Sequence, residues 1–201
     1  MKYLALDVGN IILHCDLEKH AKDIAEYHFG TDRDNIKESY EFLKDIQVTK
    51  DLGIMTYEQC LDYKSMRNSS ILLESWRNSI RLDKDIMDVL CSLKDTKIAF
   101  LSNMGFDHKH ELIKMMLENK RYKKLYENSF FHFSCDINVR KPSPLFYQSF
   151  LYTNSEFIGC LYLDDIQANL DMASRHKFNA KYFNLQDNGT KKQFKELIGI
   201  K

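Results

Sequence analysis

The sequence predicts an α/β fold, a Rossmann-like doubly wound parallel sheet with a helical cap inserted after its first strand. Three observations carry this. Short apolar runs recur at 3–7 (YLALD), 97–101 (KIAFL), 130–133 (FFHF), 158–163 (IGCLYL) and 179–183 (NAKYF). They are nearly continuous rather than alternating, as strands buried on both faces of a parallel sheet are. From residue 97 onward they alternate with helix-length segments at 107–118, 143–152, 166–176 and 189–198, the rhythm of a doubly wound sheet. Residues 15–95 break that rhythm with helical patterns at 17–29, 34–46, 56–66, 69–80 and 83–94 and no strand-like run. A connection that long must carry its own structure. The expected division is a core of residues 1–14 and 96–201 and a helical cap of residues 15–95.

Each element has a local reason. The first run stops at Asp7, followed by a Gly-Asn pair that opens a turn. Thr56 and Gln59 have the spacing of a capping box, which starts the third cap helix. Both prolines, 142 and 144, fall together between the third strand and the next helix. The basic run KRYKK (120–124) reads as a solvated helix end or loop.

Composition narrows the function classes. With 201 residues there is room for one sizeable domain, or a domain with a modest insertion. Lys+Arg and Asp+Glu both number 29, so bulk charge gives no reason to expect a nucleic-acid or membrane partner. No run approaches the length of a membrane span, and the amino-terminal apolar run is broken by Asp7 and Asn10, unlike a signal peptide. The five cysteines (15, 60, 91, 135, 160) are scattered and never form a C-x-x-C pair, so reduced thiols and a cytoplasmic location are expected.

Ligands of open parallel sheets bind at the carboxyl ends of the strands. The first run ends in Asp7, the second in Ser102-Asn103, and the fourth in Asp164-Asp165; Lys141 lies beyond the third. Any one of these has an ordinary reading as a turn, a helix cap or a surface lysine. Four such readings falling at the same sheet edge point instead to one site.

With those four stretches in order ("DVGN", "LSN", "RKP" and "LDDIQAN"), the sequence resembles the haloacid dehalogenase-like (HAD) hydrolase superfamily from residue 4 to about 185. The branch it resembles includes bacterial sugar-phosphate phosphatases of the glucose-1-phosphate type and the phosphatase half of soluble epoxide hydrolases. The resemblance implies a phosphohydrolase acting on a small phosphorylated metabolite, such as a sugar phosphate. Asp7 would be the nucleophile, forming an aspartyl-phosphate. Asp7, the Gly9 carbonyl and Asp165 would hold Mg²⁺, which prefers oxygen ligands. Lys141 would add a second positive charge, and Ser102 and Asn103 would donate to phosphate oxygens. Asp164 and Asn169 would orient Lys141 and the metal's waters.

Gly9 departs from the common pattern, in which a second Asp two residues after the nucleophile protonates the leaving group. Its absence implies a cost of roughly 10²–10⁴ in rate, or a substrate with an easier leaving group such as an anomeric or acyl oxygen. The D-x-G-N pattern occurs in the sugar-phosphatase branch, so activity need not be lost. Asp16 either substitutes in part or caps the helix that begins at Leu17. Candidate cap contacts are His14, His20, Tyr40 and Trp76, each with an ordinary structural reading beside it; His108 and His110 read as two faces of a polar helix start. Two other functions remain open at this point. One is a phosphate- or partner-binding protein that lost turnover through Gly9. The other is a metal-free dehalogenase, disfavoured by the Asp164-Asp165 pair.

Overall fold

The computed structural model describes residues 1–29, 33–187 and 189–200, with the side chains of residues 33 and 34 outside that set. The chain begins with β1 (Lys2–Leu6), a turn, and β2 (Leu13–Cys15). Four helices follow: α1 (Leu17–Ile24), α2 (Arg33–Asp51), α3 (Tyr57–Tyr63) and α4 (Ser69–Asn78). Then come β3 (Ile80–Leu82), α5 (Lys84–Ser92), β4 (Thr96–Ser102), α6 (Phe106–Glu118), α7 (Lys120–Glu127) and β5 (Phe130–Phe133). The chain ends with α8 (Ser134–Ile137), α9 (Pro144–Thr153), β6 (Leu161–Asp164), α10 (Gln167–Arg175), β7 (Asn179–Tyr182) and α11 (Lys191–Leu197).

All five apolar runs join one parallel sheet, in the order β5-β4-β1-β6-β7. β1 is central, pairing Leu6 with Phe100 on one side and Leu163 on the other. Alternation along the pleat sends Leu4 and Leu6 to one face and Ala5 to the other. The second face packs on Phe146, Tyr147, Phe150 and Phe178. The first is continuous with the helical unit through Ile24, Tyr57, Leu72 and Trp76, so core and cap share one apolar cluster.

Four differences from the sequence reading have physical causes. The run expected as a strand over 158–163 begins only at Leu161, because Gly159 turns the chain at φ +83°. A short two-stranded antiparallel ribbon, β2 with β3, closes the neck through which the chain enters and leaves the helical unit. It is flanked by Asp16 N–H to the Ser79 carbonyl and Asp83 N–H to the Ile12 carbonyl. Helix α5, expected in the cap, packs instead against α7 and α11. Lastly, α2 runs five residues past its expected end, keeping Ser39, Phe42, Ile46 and Lys50 on one buried face before Gly53 stops it. Gly53 sits at φ +67°, and a Cβ there would lie 2.8 Å from the Cys135 carbonyl oxygen, so no larger residue fits.

The basic run at 120–124 lies in α7, whose first N–H groups are capped by Asn119. The Thr56–Gln59 capping box forms at α3. Among the described residues, no helix is long and apolar enough to cross a membrane.

Candidate active site

Asp7 follows β1 directly, and its N–H extends the ladder by donating to the Leu163 carbonyl (2.8 Å). The chain then turns sharply. The N–H groups of Ile11, Ile12 and Leu13 all donate to the Val8 carbonyl, with Asn10 at φ +54°. Asparagine tolerates that left-handed conformation better than most residues. Those bonds converge on Val8 and not on the Gly9 carbonyl. A Cβ built on Gly9 would meet only Asp7 Oδ2, at 4.0 Å. The glycine thus leaves open space beside the carboxylate.

Four charged groups meet at this edge. Lys141, 2% exposed, places Nζ 2.9 Å from Asp7 Oδ1 and 2.7 Å from Asp164 Oδ2. It also donates to the Tyr162 hydroxyl at 3.0 Å. The contact to Asp7 is an ion pair without hydrogen-bond alignment, which leaves Oδ1 an incompletely satisfied buried oxygen. Burial alone would lower the lysine's pKa, but Asp164 and Asp7 together hold it above its ordinary value. Asp7, 6% exposed, is pushed up to about 7, first by burial and then by Asp164 and Asp165, against the pull of Lys141.

The two acids at the end of β6 divide the work between them. Asp164 is fully buried and accepts from Lys141, Tyr162, the Ile166 N–H and Asn169 Nδ2. Its lone pairs are committed to protein donors. Asp165 is half-buried and accepts from Asn10 Nδ2 at 2.9 Å; burial raises its pKa. One carboxylate oxygen from each of Asp7, Asp164 and Asp165 lies within 4.8 Å of the others. A set of hard oxygen donors around an incompletely satisfied Asp7 oxygen fits a small divalent cation. With Asp164 already saturated, Asp7 and Asp165 are the carboxylates of this cluster that keep lone pairs to offer.

Ser102 is buried at the end of β4, at the same edge. Asn103 does something other than expected. Its Oδ1 accepts the Lys141 N–H (2.7 Å) and its Nδ2 donates to the Lys141 carbonyl (3.0 Å). The amide therefore clamps the lysine's backbone instead of standing ready for a phosphate oxygen. Asn169 donates to Asp164, and its carbonyl accepts from Tyr147. Asp16 caps α1 by accepting the Lys19 N–H.

The cap side was poorly legible in the sequence. His14 pairs with Asp83, and Tyr40 lines an open surface cleft of ≈ 580 Å³ that reaches Asn10 and Cys15. His110 is exposed while His108 accepts from Trp76 Nε1, so they do occupy different faces. His20 is fully buried between the Tyr57 hydroxyl (2.6 Å) and Ser75 Oγ (2.9 Å), and Ser75 donates onward to Asp23. The residue missed altogether is Lys50, 8% exposed at the end of α2. Its Nζ lies 4.7 Å from the centre of the Tyr57 ring and 5.8 Å from that of Trp76. The only signal for it was its i+4 spacing from Phe42 and Ile46.

Comparison with solved structures identifies the fold. A HAD family enzyme from Bacteroides thetaiotaomicron, solved as a complex with magnesium and inorganic phosphate, superposes with a TM-score of 0.76. It is 18% identical, over 92% of this chain and 94% of that one. A HAD phosphatase from Thermococcus onnurineus gives 0.62 at 16% identity, over 92% and 86% of the two chains. The L-2-haloacid dehalogenase from Xanthobacter autotrophicus, with chloropropionic acid covalently bound, gives 0.59 at 15% identity, over 91% and 77%. No protein-family model and no curated protein matches the sequence. At these identities the likeness is one of fold, and that fold carries both a phosphatase and a dehalogenase.

Proposed function

From this haloacid dehalogenase-like fold we infer a Mg²⁺-dependent phosphohydrolase that cleaves a small phosphorylated metabolite through an aspartyl-phosphate on Asp7. The observation that carries the reading is Lys141 Nζ held 2.9 Å from Asp7 Oδ1, with Asp165 beside them at the carboxyl end of the sheet. A carboxylate approaching a phosphate dianion meets like-charge repulsion, and only fixed positive charge offsets it. Asp7, Asp165 and the Gly9 carbonyl would hold Mg²⁺, which supplies part of that charge when bound.

The chain's own residues perform the rest. Lys141 holds Oδ1, while Oδ2 faces the space beside Gly9 and is the oxygen that attacks phosphorus. Asn103 and Asp164 keep the lysine in place from its backbone and its ammonium, and Ser102 donates to a phosphate oxygen. The helical unit roofs the site, excludes water and contacts the esterified group. With no acid at position 9, leaving groups that need little protonation are favoured, such as anomeric or acyl oxygens. A branch of sugar-phosphate phosphatases fits this chemistry. Dehalogenation fits it less well, since attack on carbon has no use for Asp165.

One observation favours a second reading. The open space at Gly9 is also what a phosphate-binding protein without turnover would show. Phosphate release from sugar, nucleotide and acyl phosphates, with and without Mg²⁺, separates the two. The expected result is metal-dependent release from a subset of substrates, biased to good leaving groups. Asp7→Asn should lower it by at least about 10⁴-fold, as loss of a nucleophile does. Silence across the panel, with phosphate and Mg²⁺ still raising the melting temperature, would establish the binding protein.

A further inference from the structure

Lys50 is a buried lysine whose Nζ has no hydrogen-bond or ion-pair partner among the described residues, and burial lowers its pKa against the opposing pulls of Asp51 and Asp107. A charge taken out of water without a partner is costly, so its setting asks for an explanation. The backbone beneath it is held firmly to the core. The Lys50 carbonyl accepts the Gly53 N–H, and a Cβ on Gly105 would come within 3.0 Å of that same oxygen. One residue further, the Asp51 carbonyl accepts from Ser134, and Asn138 donates to the Leu52 carbonyl. The lysine therefore stands on a fixed mount at the junction of cap and core.

The carboxylates and imidazoles nearest it each have another partner. Asp51 pairs with Arg140 at 2.8 Å, and Asp107 accepts the Tyr57 N–H. Because Ser75 donates to Asp23, its oxygen must accept from His20 Nδ1, which leaves His20 Nε2 to accept from the Tyr57 hydroxyl. Trp76 donates to His108. Both imidazoles are held neutral, chiefly by burial and then by Lys50 itself, so neither competes with it as a cation. The rings of Tyr57 and Trp76 favour a retained positive charge but offer no acceptor for its three N–H groups. Ser134, which donates to the Asp51 carbonyl, also accepts the Met104 N–H, so the mount of Lys50 is tied to the segment that directly follows Ser102 and Asn103.

We propose that Lys50 is a specificity residue whose ammonium binds a second anionic group, a carboxylate or a further phosphate, on the part of the substrate that departs. This inference rests on the phosphohydrolase reading and narrows its substrate class to phosphoesters with two anionic ends. The acceptor that the protein withholds from Lys50 is supplied by the ligand.

Non-hydrolysable phosphonates test it without requiring turnover. In the presence of Mg²⁺, calorimetry on the full chain would compare alkylphosphonates with phosphonocarboxylates and bisphosphonates of the same length, from one to three methylenes. One arm reads the carboxylate, the other the second phosphate. At the fitting length, the dianionic-ended ligand should bind about tenfold tighter or better, as a charge-assisted hydrogen bond allows. Lys50→Met and Lys50→Gln should bring that ratio to near one. Both variants should melt at or above the wild-type temperature, because an unpaired buried charge has been removed. Equal binding at every length, a preference that survives substitution, or a marked fall in melting temperature would overturn the assignment. If no phosphonate binds at all, the phosphohydrolase reading fails first and takes this inference with it.

Discussion

Two lysines are buried among the described residues, and their surroundings are opposite. Lys141 lies between Asp7 and Asp164, with the Tyr162 hydroxyl as a third partner. Lys50 lies against two aromatic rings beside neutral imidazoles, and the carboxylates near it are paired elsewhere. Under the proposed function, the first stands at the sheet edge, where phosphate chemistry would be the same for every substrate. The second stands beneath the helical unit, where substrates would differ. A group whose task never changes can be fully paired by the protein; a group that must recognise a ligand keeps its hydrogen-bonding capacity open.

The comparison predicts opposite outcomes for the same substitution. Lys141→Met strands two buried carboxylates next to each other, and removing one partner of a buried pair costs about 3–5 kcal/mol. Urea denaturation at pH 7.5 should show that loss, whereas Lys50→Met should show none. The sign of its pH dependence is also determined. Asp7 is already held above its unfolded value, and loss of Lys141 raises it further. The native state then binds more protons than the unfolded state between the two pKa values. Stability of Lys141→Met should therefore recover as the pH is lowered from 7.5 towards 5. Equal and small losses for the two lysine variants would break the comparison.

A smaller effect tests the neutral surroundings of Lys50. Burial, then the charge of Lys50, lowers His20 to about 4, with Asp23 opposing the shift and Lys19 adding to it. The unfolded chain takes up a proton near the ordinary histidine pKa of about 6.5, and the native state does not. Native stability contributed by the neutral imidazole is thus present above about 6.5 and is lost as the pH falls towards 4, amounting to about 3 kcal/mol at the acid end. His20→Gln removes the titration. The difference in unfolding free energy between wild type and variant should shrink steadily across that window. A constant difference would mean that His20 is protonated in the native state and that Lys50 has a charged neighbour.

Legibility in the sequence follows the same division. The sheet was readable because YLALD and KIAFL are buried on both faces, and even the half-buried edge strand FFHF is a continuous aromatic run, so none leaves an alternation to misread. Asp7 and Asp164-Asp165 were readable because each interrupts such a run at its carboxyl end. Asn103 was found but misassigned, since its partner is the backbone of a residue 38 positions away and no local pattern encodes that. The ribbon of β2 and β3 has three residues per strand, too few for a period to show. The last turns of α2 were lost because Val48 and Thr49 are weak helix formers that tertiary contact overrides. Lys50 went with them: in "VTKDLG" it looks like a solvated charge, and only packing against Tyr57, Trp76 and Gly105 makes it a buried one.

The smallest expected effect concerns the open space between the two regions. Gly9→Asp should fold, because its Cβ meets nothing nearer than Asp7 Oδ2 at 4.0 Å and its φ is not left-handed. The new carboxylate adds a like charge beside Asp7, which burial and two acids already push up to about 7. Ground-state anion binding should weaken, while poor leaving groups gain a proton donor. The measurable result is a change of selectivity: the ratio of kcat/KM for alkyl phosphates to that for acyl phosphates should rise by about tenfold, well short of the full value of a general acid. An unchanged ratio would show that leaving-group protonation is already provided from elsewhere in the site. Cap groups would then share in the chemistry, and the separation of a generic sheet edge from a selective cap would no longer hold.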